Sequence, residues 1–318
     1  MKTTVSVLLF FGFILNAFGQ TNDEKINKLS NNIASKVIEW RRHLHENPEL
    51  SNREFKTAKY IAKHLKELGI EVQEGVAKTG IVGLLKGDLP GKVVALRADM
   101  DALPVTERND LSFKSVVTSE YNGKKTGVMH ACGHDTHVAI LMGAAAVLSK
   151  MKSEIKGTVK FIFQPAEEGS PKGEESGAKL IGTTRALDDD MQKFINDRMK
   201  EVATVIAKVH RAEATIEISK GLPITYNHIK LTEKMLPTLQ RTAGAKNVVK
   251  ISATTGAEDF SFYQQQIPGL YFFLGGKSLD IKTEDASGHH TPDFVIDESG
   301  FVLGVKTMTA LTLDYLND

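Results

Sequence analysis

Between residues 26 and 68 the apolar positions recur at intervals of three and four: Ile33, Val37, Trp40 and Leu44, then Tyr60, Ile61, Leu65 and Leu68. Such spacing stacks side chains along one helical face. The pattern is interrupted at Asn47-Pro48 and stopped at Gly69, so it predicts two helices with a short link. The period then shortens. Residues 80–85 and 92–96 are β-rich runs bounded by Gly and Pro, which predicts strands. Residues 136–150 place Ile140, Leu141, Ala144 and Leu148 on one face, a helix with Asp135 as its expected N-cap. Residues 158–163 read as a strand, and Gln164-Pro165-Ala166-Glu167-Glu168-Gly169 falls where that strand must end.

Strands alternating with helices predict an α/β fold, whose sites lie beyond the carboxyl ends of the strands. Two acidic segments, residues 97–104 and 164–169, fall at such positions. From Gly182 the texture changes. A short strand, a long helix over 189–208 and an alternating strand over 214–218 make a β-α-β piece that ends at Lys220-Gly221. Beyond Leu222 the first pattern resumes with a helix over 231–242, an acidic turn at 256–260, a strand over 269–274 and a final helix over 300–316. The expected organisation is a principal domain built from residues 20–181 and 222–318, with residues 182–221 as a small inserted unit.

The first 19 residues read as a secretory signal peptide: Lys2 supplies the positive start, residues 5–15 are almost unbroken apolar sequence, and Ala17-Phe18-Gly19 offers small residues for cleavage. The apolar run is short for a bilayer span of about 20 residues, so a periplasmic or secreted protein is expected rather than a membrane-anchored one. The composition, 41% hydrophobic and 25% charged, is that of a globular chain. A net charge of +1 offers no broad field to a polyanion. Nucleic acid is therefore not an expected partner. A single cysteine, Cys132, excludes an internal disulfide and leaves that thiol as a buried apolar group or a ligand.

The densest chemistry lies in His130-Ala131-Cys132-Gly133-His134-Asp135-Thr136-His137. A thiolate and an imidazole two residues apart, with Gly133 allowing a tight turn between them, can face one cation. The same segment also reads as a His-rich helix start with satisfied side chains, and His130 and His137 fit that supporting role. Adjacent carboxylates such as Glu167-Glu168 suit a metal hydrolase, one binding the ion and the other moving a proton, although a solvated acidic turn has the same appearance. Gly288-His289-His290-Thr291-Pro292-Asp293-Phe294 adds imidazoles in a punctuated loop. Three clusters far apart in sequence together favour a hydrolytic metal site. H-E-x-x-H, C-x-x-C and G-x-S-x-G patterns are all missing. Gly275-Gly276-Lys277-Ser278 imitates the end of a P-loop, but Tyr271 stands where its first Gly belongs.

These clusters, in this order, resemble the M20 metallopeptidase family, in particular its amidohydrolase branch of N-acyl-amino-acid, hippurate and auxin-conjugate hydrolases. The resemblance runs through residues 41–50 (Arg-Arg-His-Leu-His-Glu-Asn-Pro-Glu-Leu), 97–104, 129–137, 164–169, 182–185, 256–260 and 289–298. It implies an α/β catalytic domain with helices around a mixed sheet, and an inserted α+β lid that forms a homodimer in relatives. It further implies up to two divalent ions, Zn or Mn, held by Cys132, His134, Glu168 and His290. Asp101 would support the site and Arg185 would receive a substrate carboxylate. Glu167 would be the general base that takes a proton from water and passes it to the leaving amine. The expected reaction is amide hydrolysis of an N-acyl amino acid, with a dipeptidase or deacetylase of another branch as an alternative.

One block of the family pattern is missing. Relatives follow a Gly-Ala-Lys-Leu-like helix start with a Gly-Leu-His-Val segment, whose His is a ligand, and then the first half of the lid. Here Ala178-Lys179-Leu180-Ile181 runs directly into Gly182-Thr183-Thr184-Arg185, and no His lies between His137 and His210. The expectation is an impaired second metal site and a truncated lid with an uncovered edge and apolar face, prone to aggregation. A catalytically impaired remnant of the family is the corresponding alternative function.

Overall fold

Three helices open the chain in the computed structural model, which describes residues 21–169, 184–218 and 221–318. The signal peptide expected over residues 1–19, and Gly182 and Thr183 at the start of the inserted unit, lie outside the described residues. Helix α1 (Asn22–Asn32) starts at a capping box in which Thr21 Oγ1 accepts the Glu24 N–H and the Glu24 carboxylate accepts the Thr21 N–H. Helices α2 (Ala34–Glu46) and α3 (Phe55–Glu67) follow. The sequence predicts two helices here and the structure has three. Ile33, which continues the apolar spacing, leaves helical geometry at φ −108°, ψ 4° and separates α1 from α2.

Strands β1 (Glu71–Val76), β2 (Gly80–Lys86), β3 (Leu89–Asp99) and β6 (Lys156–Gln164) form a mixed sheet in the order β1-β2-β6-β3. β2 runs antiparallel to both β1 and β6, whereas β3 and β6 are parallel. Their register pairs Asp99 with Gln164, so both strands deliver their carboxyl ends to the same edge. A separate hairpin, β4 (Thr118–Tyr121) and β5 (Lys124–Gly127), turns at Asn122-Gly123. Both turn residues have positive φ, 51° and 73°, as a two-residue hairpin whose turn matches strand twist requires.

Helix α4 (His134–Ser149) is buried along most of its length and packs against β3, α2 and the C-terminal helix α8 (Phe301–Asn317). Gly304 lets α8 approach closely, since a Cβ there would lie 2.7 Å from Ile140 Cδ1. The N-cap of α4 is Gly133, not Asp135 as the sequence suggests. Asp135 lies two residues past the N-cap, and its carboxylate is drawn inward to Arg41 and His45.

The second half of the chain carries α5 (Asp189–Val209), α6 (Ile229–Ala243) and the short α7 (Phe260–Gln264). α6 packs on α8 through Met235, Leu239 and Leu311. α5 buries none of its residues and exposes Phe194, Met199, Val202 and Ile206. The strands expected over 214–218 and 269–274 do not form; among the described residues none lies beyond β6. A strand exists only through a partner ladder. Residues 184–186, which would neighbour 214–218, are irregular. The 269–274 segment is held by side-chain bonds instead: the Asn227 side chain donates to Tyr271 O at 2.7 Å and accepts the Tyr271 N–H at 2.6 Å.

Candidate metal centre

Four loops converge beyond the carboxyl ends of β3 and β6: the segments after each of these strands, the turn entering α4, and the loop before α8. Asp101, 1% exposed, ties the first three together. Its Oδ1 accepts the Glu167 N–H and its Oδ2 the Glu168 N–H, both at 3.1 Å. The Ser51 hydroxyl donates to Oδ2 at 2.6 Å. His134 Nδ1 lies 2.9 Å from Asp101 O and 3.3 Å from Oδ1, so the ring is fixed with only Nε2 facing the site. Backbone strain sharpens the arrangement. Ala166, immediately before the glutamates, has φ 58°, and His290 has φ 62°, conformations uncommon for residues with a Cβ.

Cys132, His134 and Glu168 each offer a donor atom, and these atoms lie within 4.8 Å of one another. Gly133, between the first two, has φ 90°, and a Cβ there would meet Ile296 Cδ1 at 2.7 Å. His290 Nε2 is 3.3 Å from Glu168 Oε1. Two donors sharing a tetrahedral ion at bond lengths near 2.1 Å lie about 3.4 Å apart, so this spacing is that of co-ligands. The loop carrying His290 is tied to the Cys132 loop by its N–H, which donates to Ala131 O at 2.8 Å. Glu168 Oε1 is buried without a hydrogen-bond donor, a costly state for a carboxylate oxygen that a cation would relieve. A thiolate, two imidazoles and a carboxylate form a donor set suited to Zn²⁺ or a similar divalent ion, so the residues present fit a metal.

The electrostatics point the same way. Burial pushes Glu167 up to about 8; His134 opposes this, while Glu258, Asp99 and Glu168 reinforce it. Burial also raises Glu168 and the Cys132 thiol above their ordinary values. His134, despite burial, is held well above the usual imidazole range by Asp99 and Asp101. The site is short of positive charge, and an added dication would favour the ionised carboxylates and thiolate.

Asp99 and an Arg97 hub complete the site, beyond the residues that the sequence motifs single out. Arg97 Nη1 lies 2.8 Å from Asp99 Oδ2 and 3.1 Å from Glu258 Oε1, while Nη2 lies 2.7 Å from Asp259 Oδ1. Tyr271 Oη donates to Glu258 Oε2 at 2.9 Å. Asp99 Oδ1 is 2.6 Å from His137 Nδ1, a hydrogen bond rather than co-ligand spacing, and 3.7 Å from His134 Nε2. The alternation Arg97-x-Asp99-x-Asp101 at the end of β3 carried the signal, because every second residue of a strand faces the same side. Glu167 Oε2 stands 3.8 Å from His134 Nε2, beside the donor triad. Arg185 is exposed, lines the same broad cleft as Glu167, and donates from Nη1 to Thr255 O at 3.1 Å, with no bond to the cluster.

Relatives match along most of the chain. The family model described as peptidase family M20/M25/M40 matches residues 95–314. Thermostable carboxypeptidase 2 of Saccharolobus solfataricus is 31% identical, with 92% of this chain and 99% of the relative covered. That alignment spans 401 positions, more than the 318 residues here, so the relative carries a stretch without a counterpart. N-acetylcysteine deacetylase of Bacillus subtilis is 46% identical over 88% of this chain and 96% of its own. The crystal structure of a dinuclear metal-binding M20 peptidase from Bacillus subtilis superposes with a TM-score of 0.73 at 27% identity, covering 90% of this chain and 99% of that one. With its mixed sheet and the Cys132–His134–Glu168 cluster at the strand ends, the chain belongs to peptidase family M20/M25/M40.

Proposed function

We propose that the protein is a metal-dependent hydrolase that cleaves the amide bond of N-acyl amino acids. The observation that carries this reading is the Cys132–His134–Glu168 triad with His290 beside Glu168 and a second carboxylate, Glu167, left over. Cys132, His134, Glu168 and His290 would hold the ion, with zinc or manganese the fitting choices. A bound divalent ion supplies Lewis acidity toward the amide carbonyl and the attacking water. Glu167 takes the proton of that water and returns it to the leaving nitrogen. Asp101 holds the Glu167 and Glu168 amides and the His134 ring, which keeps base and ligands in fixed relation. Arg185 receives the substrate carboxylate once its guanidinium leaves Thr255 O, a role that suits its fork of donors. The relatives named as deacetylase and carboxypeptidase support this substrate class.

The leader over residues 1–19 adds export to the periplasm or medium as part of the same reading. Among the described residues no helix is long and apolar enough to cross a membrane. The test is hydrolysis of N-acetyl and N-benzoyl amino acids by purified protein supplied with Zn²⁺, Mn²⁺ or Co²⁺. Turnover that disappears with a chelator and returns with the metal is expected. A loaded protein that leaves the whole panel intact would refute the reading.

A further inference from the structure

Glu54 is a carboxylate that the reaction does not use directly, yet it is 0% exposed. It occupies the N-cap position of α3 without capping it through its side chain. Its Oε1 accepts two backbone N–H groups, from Asn52 at 2.9 Å and from Ala166 at 3.0 Å. Its Oε2 accepts the Thr79 hydroxyl at 2.7 Å. Asn52 and Ala166 are both in the left-handed region, at φ 63° and 58°. One carboxylate oxygen therefore gathers the amides of two residues whose conformations a side-chain-bearing residue rarely keeps unaided.

Ala166 is the residue from which Glu167 and Glu168 depart. Three consecutive amides, those of residues 166, 167 and 168, are thus held by two buried carboxylates, Glu54 for the first and Asp101 for the other two. The braces share a base, because Ser51, three residues before Glu54, donates to Asp101. Gly80 brings the start of β2 against the same turn, where a Cβ would lie 3.0 Å from Pro165 Cδ. We infer that Glu54 is a positioning residue that fixes the Glu167–Glu168 turn by accepting the Ala166 N–H. This rests on Glu167 and Glu168 acting as base and ligand.

Two substitutions separate reach from charge. Glu54→Gln loses the charge but keeps an oxygen where Oε1 sits. Glu54→Asp keeps the charge but withdraws it by one methylene, about 1.5 Å. Co²⁺ affinity, read by chelator competition and by the thiolate-to-Co²⁺ absorption, reports on Glu168 placement without any turnover. Glu54→Asp is expected to weaken Co²⁺ binding at least tenfold, the scale at which supporting groups act on metal sites, and to lower kcat more than KM. Glu54→Gln is expected to stay within about threefold of the parent, since the oxygen that orients the turn remains. Equal losses in both variants, or a lowered thermal midpoint with Co²⁺ affinity and absorption unchanged in Glu54→Asp, would overturn the inference. If the parent protein hydrolyses no N-acyl amino acid, the proposed activity falls while the Co²⁺ affinities still decide the role of Glu54.

Discussion

His290 Nε2 lies 3.3 Å from Glu168 Oε1, the residues being brought together from the loop before α8 and the turn after β6. Neither helix nor strand fixes His290; its backbone is at φ 62° and its N–H is bonded to Ala131 O. That backbone bond joins the loop before α8 to the Cys132 loop. Replacing His290 with Ala should lower affinity for Zn²⁺ or Co²⁺ by more than about 100-fold, beyond the 10–100-fold that a supporting group costs. Chelator competition measures this, and an unchanged affinity would remove His290 from the ligand set.

Glu167 stands beside the donor triad, with its backbone held independently through Asp101. Glu167→Gln keeps the size and the amide anchor and removes the base. Metal content should remain that of the parent while kcat falls by about 10²–10⁴, the usual contribution of a positioned proton acceptor. Elemental analysis and steady-state kinetics on one preparation check both halves. Full turnover in the variant would assign the proton transfer elsewhere.

Asp101→Asn tests the anchor itself. An amide side chain has one acceptor oxygen, whereas the carboxylate accepts the Glu167 and Glu168 N–H groups on different oxygens. In either orientation the Asn NH₂ would face a backbone N–H donor, that of Glu167 or that of Glu168. Metal affinity should drop by about 10–100-fold, accompanied by a lower thermal midpoint. Affinity equal to the parent would mean that the turn is held by Glu54 and packing alone.

Much of this was legible in the chain. Periodicity located α4, α5, α6 and α8, because their apolar positions face a core or make a continuous stripe. Motif order singled out Cys132, His134, Glu168 and His290, and the fold brings these four side chains together. Local pattern failed where conformation is set by distant partners. Asp135 looks like a cap but is buried against Arg41 and His45. Residues 269–274 are an apolar run that reads as a strand, yet Asn227 holds them outside any ladder. Glu54 looks like an exposed charge at a helix start, and only tertiary structure shows that it serves a turn following β6. The hairpin at Asn122-Gly123 is the opposite case, a turn whose signal is wholly local.

His45 supplies a pH dependence. Its ring is buried with Nδ1 2.7 Å from Asp135 Oδ2 and Nε2 3.1 Å from Glu107 Oε1. Burial disfavours the charged ring, but hydrogen bonds to the two carboxylates outweigh it and raise the pKa to about 9. The folded value lies above the unfolded value of about 6.5. Stability from the imidazolium is therefore complete below pH 6.5 and is lost as pH rises through about 9, a change on the order of 3 kcal/mol. Urea denaturation of the metal-free protein between pH 6 and 9.5 should show this decline, and His45→Gln should flatten it. An unchanged slope in the variant would place the dependence on another group.

The number of ions held follows from the donors. His134 has one nitrogen to give, because Nδ1 is engaged by Asp101. Cys132, Glu168 and His290 complete a set for one ion. Among the described residues the remaining imidazole beside a site carboxylate is His137, and at 2.6 Å from Asp99 it is held by a hydrogen bond rather than spread around a cation. A second ion would have to break that bond and compete with Arg97 for Asp99. One tightly held ion per chain is therefore expected after dialysis, with a second lost to a mild chelator. Elemental analysis before and after chelation counts both. Two retained ions, with one released in His137→Ala, would show that the Asp99–His137 pair opens and ligates.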